Sequence, residues 1–202
     1  MNMEKNRLNK IREFAKLHYK DDDLHGWGHI ERVMNNAKRI QKHTGGDWSL
    51  IQVAVWLHDI GRKKEEQLKM KVENKQPPHH AILSKTISKK FLENLSLEEN
   101  TIKQINHIIL AHSFSIGEKA RSVEAKIVSD ADKLDAIGAI GIFRASAYQF
   151  HNKTGISGML NHMEEKLMNL AEKMYLDISR KIAKKRILRI KKYREMILEE
   201  LD

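Results

Sequence analysis

One stretch constrains the fold of this chain more than any other, and it runs from Val53 to Gly61 as Val-Ala-Val-Trp-Leu-His-Asp-Ile-Gly. As a helix it is apolar on every side until His58 and Asp59, and a helix that is apolar all round must be buried. The stretch therefore carries an imidazole and a carboxylate to the edge of a core. Burying such groups is costly unless they are paired or bind a metal.

The glycine that follows bears on how these two polar side chains are used. Adjacent residues on a helix point about 100° apart, so an unbroken turn would not let His58 and Asp59 grip one ion. At a C-terminal turn that unwinds before Gly61, both side chains can converge on a single ion. A simple buried His–Asp hydrogen bond is the alternative interpretation of the pair taken alone.

Helical periods recur along the 202 residues, whereas strand-like alternation is scarce and only two prolines occur. We therefore predict an all-α fold. The length suits a single well-packed domain over residues 1–202. In this prediction a helical bundle at about 20–150 carries the site, and a long C-terminal helical region follows at about 156–202.

The absence of cysteine limits both the metal chemistry and the compartment. It excludes disulfides, thiolate zinc sites and cysteine nucleophiles, and it suits a reducing cytoplasm. Any metal must be held by nitrogen and oxygen ligands. No apolar run approaches the roughly 20 residues that span a bilayer, and residues 1–5 lack the apolar core of a signal peptide. We therefore predict a cytoplasmic protein that does not associate with membranes.

Further histidines stand at the ends of predicted helices. His25 and His29 flank a Gly-Trp-Gly just before one helix, and Arg32 lies three residues after His29 on a neighbouring face. His80 begins a helix after two prolines, and His112 ends the helix that follows. In an antiparallel helix pair these last two positions lie at the same end, so the two imidazoles can meet.

Three aspartates occupy another predicted helix, at Asp130, Asp132 and Asp135. Aspartate is a poor helix former, so three of them beside an apolar stripe favour a binding role. Asp132 and Asp135 share a face, whereas Asp130 lies nearly opposite Asp132.

Two charged segments complete the pattern. From Arg62 to Gln76 the chain is strongly charged and poor in apolar residues, which predicts a flexible surface segment or lid. Arg62 itself lies close enough to reach an anion held at His58 and Asp59. Between Arg180 and Arg194 nine basic residues and no acid account for most of the formal charge of +10. This run is either a solvated face or a positive field that attracts RNA or polyphosphate.

In their order along the chain, His29, His58-Asp59 and a later aspartate resemble the HD-domain superfamily of metal-dependent phosphohydrolases. Surrounding residues sharpen the resemblance toward the YpgQ/YedJ-like branch and cover most of the chain. They lie at 25–33, 57–61, 80–84, 111–114, 130–141 and 161–167. The resemblance implies an HD-domain helical bundle. It also implies cleavage of nucleoside triphosphates, preferably deoxy forms, to monophosphate and pyrophosphate with Mn²⁺ or a similar ion.

The resemblance also implies a ligand set. His29, His58 and Asp59 match the first three metal ligands of the superfamily. Asp132 matches the fourth, with Asp130 as its rival. The ion would be Mn²⁺, with Mg²⁺, Ni²⁺, Co²⁺, Fe²⁺ or Zn²⁺ as alternatives.

Other matches concern the substrate and a second ion. Lys133 matches a phosphate-contacting lysine, and Arg62 matches a lysine that follows His-Asp-Ile-Gly in several HD branches. His80 and His112 match histidines that hold a second metal in binuclear branches. Arg62 also stands where the nucleotidase branch has a glutamate, which counts against a 5′-nucleotidase mechanism.

These expectations combine into one mechanism. Arg32, Arg62 and Lys133 would offset the charge of a polyphosphate, and His25 and His112 would line the site of a small nucleotide. Either Asp135 or His112 would move the proton. The alternatives are a phosphodiesterase or phosphomonoesterase with the same site, or an RNA-binding module with a structural metal. The sequence leaves a homodimer open.

Overall fold

The computed structural model describes residues 4–71 and 76–201. Within these ranges the chain is mostly helical and contains no β-strand, which confirms the all-α prediction. Ten α-helices are described there: α1 (Lys5–Lys16), α2 (Trp27–Thr44), α3 (Trp48–Leu57), α4 (Arg62–Lys71), α5 (His80–Asn94), α6 (Glu99–His112), α7 (Val123–Asp135), α8 (Ala139–His151), α9 (Gly155–His162) and α10 (Asp177–Leu201). None of these helices combines the length and the apolar character needed to cross a membrane.

The chain divides into two compact units, and the boundary falls inside α7 between Ser129 and Asp130. The predicted single domain, with a core at about 20–150 and an extension at about 156–202, stays a prediction.

Helix α3 forms the centre of the first unit. It packs against α1, α2, α5 and α6, and every residue from Val53 to Leu57 is buried. The Asp47 carboxylate begins the helix by accepting hydrogen bonds from the backbone N–H groups of Ser49 and Leu50, at 2.8 and 3.2 Å. An apolar helix surrounded by four others is what the sequence of this segment predicts.

The charged segment after Gly61 differs from its prediction. Residues Arg62–Lys71 form α4, which packs on α5, so the expectation that this part lacks regular structure is wrong. Its place at the surface agrees with the prediction, and a role as a lid stays a prediction. None of its residues is fully buried. Because it has no buried face, its sequence lacks the apolar stripe from which a helix can be predicted. Residues 72–75, on which the rest of that prediction falls, lie outside the described residues.

In the second unit α8 packs against both α9 and α10. The C-terminal region is helical but interrupted: α9 is followed by a π-helical segment at Met163–Leu167 and by turns, and α10 begins only at Asp177. Helix α10 turns one apolar side inward, with four of its residues buried there. These are Ile182, Ala183, Ile187 and Ile190.

Candidate metal centre

The candidate site begins where α3 unwinds. The helix ends at Leu57, and the chain then turns through residues 58–61 before α4 starts. Gly61 lets another helix approach this turn, since a Cβ there would lie 2.4 Å from the carbonyl oxygen of His80 and 2.6 Å from the nitrogen of Ser84. The Gly61 N–H also donates to Ser84 Oγ, at 2.9 Å. The start of α5 is thereby held against the His58–Asp59 turn.

Four imidazoles surround the buried Asp59 carboxylate. Its Oδ2 lies 3.9 Å from His29 Nε2 and 3.6 Å from His58 Nε2. Its Oδ1 lies 3.4 Å from His80 Nε2 and 3.5 Å from His112 Nε2. The histidines come from α2, the end of α3, the start of α5 and the end of α6, so four separate parts of the first unit meet here. Each carboxylate oxygen faces two imidazoles.

Two of the imidazoles have a fixed tautomer. Nδ1 of His58 lies 2.8 Å from the Val55 carbonyl oxygen, and Nδ1 of His112 bonds to the carbonyl of Ile109. A carbonyl oxygen can only accept, so in both rings Nδ1 carries a hydrogen and Nε2 is the nitrogen that lies toward Asp59. Metal-binding histidines are commonly held in this way, with the second nitrogen donating to a carbonyl or carboxylate.

His80 is prepared differently. Its Nδ1 lies 3.3 Å from Glu65 Oε2 on α4. Burial lowers the pKa of His80 to about 2, so the ring is neutral, as a metal ligand must be. Its Nε2 is buried and forms no hydrogen bond with any described residue. Glu65 was not identified from the sequence, because nothing in the charged stretch around it distinguishes it from its neighbours.

The central carboxylate is ionised. Burial alone would raise the pKa of Asp59, but the Arg62 guanidinium and the His58 imidazole hold it well below its usual value. The Arg62 Nε contacts Asp59 Oδ2 directly. Arg62 is therefore already paired with the carboxylate of Asp59.

The donor set fits a divalent metal ion. The ligand atoms of His58, Asp59 and His112 all lie within 4.8 Å of one another. Imidazole nitrogens and a carboxylate oxygen, without sulfur, suit ions such as Mn²⁺, Fe²⁺, Co²⁺, Ni²⁺ or Zn²⁺. The cluster could hold a divalent ion, and its chemistry does not choose among these metals.

The other predicted residues of the first unit lie nearby but are differently engaged. His25 is exposed, and its ring centroid lies 6.2 Å from that of His29. Arg32 bonds to Asp23, with Nη1 donating to Oδ1 at 2.9 Å and Nη2 to the backbone carbonyl. The roles of His25 and Arg32 toward a substrate stay predictions.

In the second unit Asp130 has a structural role. Its Oδ1 accepts the backbone N–H of Tyr175 and its Oδ2 that of Leu176, each at 2.9 Å. The carboxylate thus fastens the turn before α10, and both of its oxygens are in use. This favours Asp132 over Asp130 as the fourth metal ligand, and that assignment stays a prediction.

Two further predicted residues of this unit are also buried. Nζ of Lys133 lies 5.0 Å from the centre of the Tyr175 ring, and burial lowers the pKa of this lysine. Asp135 accepts a hydrogen bond from Arg144 Nη1, at 2.7 Å. Their predicted parts in phosphate binding and proton transfer stay predictions.

Relatives with the same architecture are found among known proteins. The chain is 29% identical over 170 residues to the uncharacterized protein YpgQ of Bacillus subtilis, a match that covers 80% of this chain and 77% of that protein. A crystal structure of YpgQ in complex with ADP matches with a TM-score of 0.74 at 24% identity, covering 96% of this chain and 95% of that chain.

Two other solved structures are similar over nearly the whole length. A Lactobacillus plantarum protein matches with a TM-score of 0.78 at 27% identity, covering 99% of both chains. An HD-superfamily hydrolase of Bacillus thuringiensis matches with a TM-score of 0.72 at 28% identity, covering 97% of both chains. The HD-domain family matches residues 26–137, more than half of this chain, and that range includes the four imidazoles and Asp59. The chain therefore belongs to the HD-domain superfamily of hydrolases.

Proposed function

We propose that this protein is a metal-dependent phosphohydrolase that cleaves nucleoside triphosphates, preferably deoxy forms, to monophosphate and pyrophosphate. The observation that carries the proposal is the ionised Asp59 carboxylate enclosed by four imidazoles in one buried cluster. The ADP bound to YpgQ, the relative matched over 80% of this chain, supports a nucleotide as the substrate.

Four residues would hold the ion in this proposal, namely His29, His58, Asp59 and Asp132. Mn²⁺ is the ion we favour. When bound, such an ion lowers the pKa of a water molecule toward about 7 and neutralises charge on a phosphate oxygen. Asp130 is set aside because its two oxygens already accept backbone N–H groups.

The remaining residues act on the substrate. Arg62 brings a permanent positive charge beside Asp59. In this proposal Arg62, Arg32 and Lys133 together neutralise part of the negative charge of the bound polyphosphate. His25 and His112 line the nucleotide site. We favour His112 over Asp135 for proton transfer, because Asp135 already accepts a hydrogen bond from Arg144.

A second candidate function is hydrolysis of a phosphoester with two metal ions. The observation that favours it is the division of the cluster, since Asp59 Oδ1 faces His80 and His112 while Oδ2 faces the other two histidines. A carboxylate shared in this way can bridge a pair of ions, and two-metal sites are common in phosphatases and nucleases.

A nucleotide panel tests the proposal. Purified protein is incubated with ribo- and deoxynucleoside triphosphates, a nucleoside monophosphate and a phosphodiester in the presence of Mn²⁺, and pyrophosphate and phosphate are measured separately. Pyrophosphate from the triphosphates is expected. Phosphate from the monophosphate, or cleavage of the diester, would support the second candidate instead.

Variants connect any activity to the cluster. His58→Ala and Asp59→Ala should abolish metal-dependent turnover while circular dichroism shows unchanged helical content. His43→Ala is the matched control, since His43 is an exposed histidine in the last turn of α2. Wild-type turnover in the two cluster variants would refute the proposal.

A further inference from the structure

The nine basic residues between Arg180 and Arg194 divide into two groups. Three arginines are used within the second unit. Arg180 Nη1 donates to the Met174 carbonyl at 2.6 Å, Arg186 donates to the carbonyl of Leu134, and Arg194 pairs with Glu164. These three guanidiniums therefore help to hold α10 in place, and they are only partly exposed.

The other six basic residues are exposed, and none of them forms an ion pair or hydrogen bond with a residue in the described ranges. They are Lys181, Lys184, Lys185, Arg189, Lys191 and Lys192. At about 100° per residue they fall within an arc of roughly 160° around α10. This arc, which we call the basic face, lies opposite the buried apolar side of the helix.

The basic face has a defined length and composition. With a rise of about 1.5 Å per residue, Lys181 and Lys192 are about 17 Å apart along the helix. Between them the arc contains one apolar residue, the exposed Leu188, and no aromatic or acidic side chain. The face ends at Glu195. A duplex carries one phosphate charge per about 1.7 Å of its axis, so about ten phosphates accompany the same length.

We propose that the basic face docks double-stranded nucleic acid through its phosphodiester backbone, without reading base sequence. Six exposed cations, none of which forms an ion pair or hydrogen bond with a residue that the structure describes, match a closely spaced row of anions in charge and in length. Base readout needs side chains that reach base edges, and lysines on an exposed helix face supply charge without fixed geometry. The contact would be independent of the metal centre.

Two other polyanionic partners fit less well. Proteins that bind single strands add aromatic side chains on which bases stack, and the basic face has none. A membrane-surface helix buries its apolar side in the lipid, but the apolar side of α10 is already buried in the protein. A duplex is therefore the partner that this face fits.

Salt dependence of binding is the direct test. Fluorescence anisotropy of two labelled 20-base-pair duplexes of unrelated sequence is measured with the full chain in EDTA, from 50 to 200 mM KCl. Six neutralised phosphates predict that affinity falls by about 10³-fold over this range. Both duplexes should bind equally well. Anionic lipid vesicles and a single strand of the same length serve as competing partners.

Two variants with the same loss of charge localise the contact. Lys181→Gln, Lys185→Gln, Arg189→Gln and Lys192→Gln together leave two cations on the face, so affinity should fall only about tenfold between 50 and 200 mM KCl. The variant should also bind far more weakly than wild type at 50 mM. The control substitutes glutamine at four exposed positions of the first unit, at Lys10, Arg39, Lys90 and Lys119. It should retain the wild-type salt dependence.

Several results would overturn the inference. Equal weakening in both quadruple variants would show that net charge, and not this face, drives binding. Preference for vesicles or for the single strand over the duplex would assign the face to another partner. Absence of duplex binding at 50 mM KCl would refute the proposal that the basic face binds nucleic acid. Because the measurements are made in EDTA, none of these results depends on the proposed hydrolysis.

Discussion

Two buried aspartates of this protein have nearly the same exposure and opposite electrostatics. Asp59 is 1% exposed and Asp130 is 0% exposed. Burial acts to raise the pKa of both, yet the pKa of Asp59 lies well below its usual value while that of Asp130 lies above it. The difference is the surroundings, because Asp59 faces the Arg62 guanidinium and several imidazoles whereas Asp130 faces mainly backbone N–H groups.

The comparison shows that burial alone does not mark a carboxylate as functional. Neutral donors at 2.9 Å satisfy the oxygens of Asp130 without offsetting the whole cost of burying charge. A guanidinium does offset this cost for Asp59, and the carboxylate stays ionised beside His80, whose ring is neutral because burial lowers its pKa. An ionised carboxylate among lone-pair nitrogens is what a divalent cation requires. Asp130 by contrast stabilises the turn before α10 through its hydrogen bonds to backbone N–H groups.

The largest expected effect is a difference in the rate of hydrolysis between variants of Asp59 and of Asp130. Asp59→Asn should reduce metal-dependent hydrolysis by at least about 10³-fold, since it removes the charge from the centre of the donor set. Asp130→Asn should stay within about tenfold of wild type. Initial rates at saturating Mn²⁺, with binding of Mn²⁺ measured by calorimetry, would check both. If Asp130→Asn lost metal binding as Asp59→Asn is expected to, Asp130 would be a ligand and the comparison would break.

In the absence of metal, a substitution of Asp130 should destabilise the fold more than a substitution of Asp59. Asp130→Ala removes the acceptor for the N–H groups of Tyr175 and Leu176, which should lower the free energy of unfolding by about 2 kcal/mol, as for a lost helix cap. Asp59→Ala should cost less, because Arg62 is 31% exposed and its charge can return to water. Urea denaturation in EDTA measures both values. A larger loss for Asp59→Ala would contradict this division of roles.

Much of the fold and the centre of the site could be predicted from the sequence. The apolar run of α3 predicts a buried helix, and the glycine after it predicts that the helix unwinds where His58 and Asp59 can converge. The positions of His80 and His112 at opposite ends of consecutive helices predict that they meet, and in the structure both face Asp59. These predictions rest on local periodicity and on short connections.

The parts that could not be predicted depend on contacts without a local pattern. Helix α4 has no apolar stripe, so its charged sequence resembles a loop, and Glu65 beside His80 is indistinguishable from Glu66 in the sequence. The Asp130 carboxylate accepts hydrogen bonds from backbone N–H groups that lie 45 and 46 residues further along the chain. Backbone donors carry no side-chain signature, so the sequence leaves Asp130 as a rival to Asp132, the predicted fourth ligand.

Glu65 extends the comparison to the histidines around Asp59. If His80 is a metal ligand, Glu65→Ala should weaken metal binding by about 10–100-fold, the usual effect of losing a partner that orients a ligating imidazole. Glu66→Ala is the matched control, since Glu66 is exposed and pairs with Lys20 at 3.0 Å. Calorimetric titration with Mn²⁺ also gives the number of ions bound. Equal affinity in both variants would remove His80 from the ligand set.

The smallest expected effect is a dependence of stability on pH. Since burial lowers the pKa of His80 to about 2, the folded protein keeps this ring neutral while the unfolded chain protonates it below about pH 6.5. The unfolded state then binds more protons, so the free energy of unfolding should fall by about 1.6 kcal/mol from pH 6.5 to 5.0 on account of this residue.

Between pH 6.5 and 5.0 the contribution of His80 can be separated from those of Asp59 and Asp130. The stability contributed by Asp59, whose pKa is lowered, is present above the usual aspartate value and is lost only as pH falls below it. Asp130, whose pKa is raised, acts with the opposite sign, and its contribution cancels when two variants that both retain it are compared.

Urea denaturation in EDTA should therefore show a shallower pH dependence for His80→Gln than for wild type. His43→Gln, at an exposed position, should match wild type. Identical slopes for His80→Gln and wild type would mean that His80 takes up protons in the folded protein as it does in the unfolded chain. The cluster would then lack the neutral imidazole that we place beside Asp59 and that has no counterpart at Asp130.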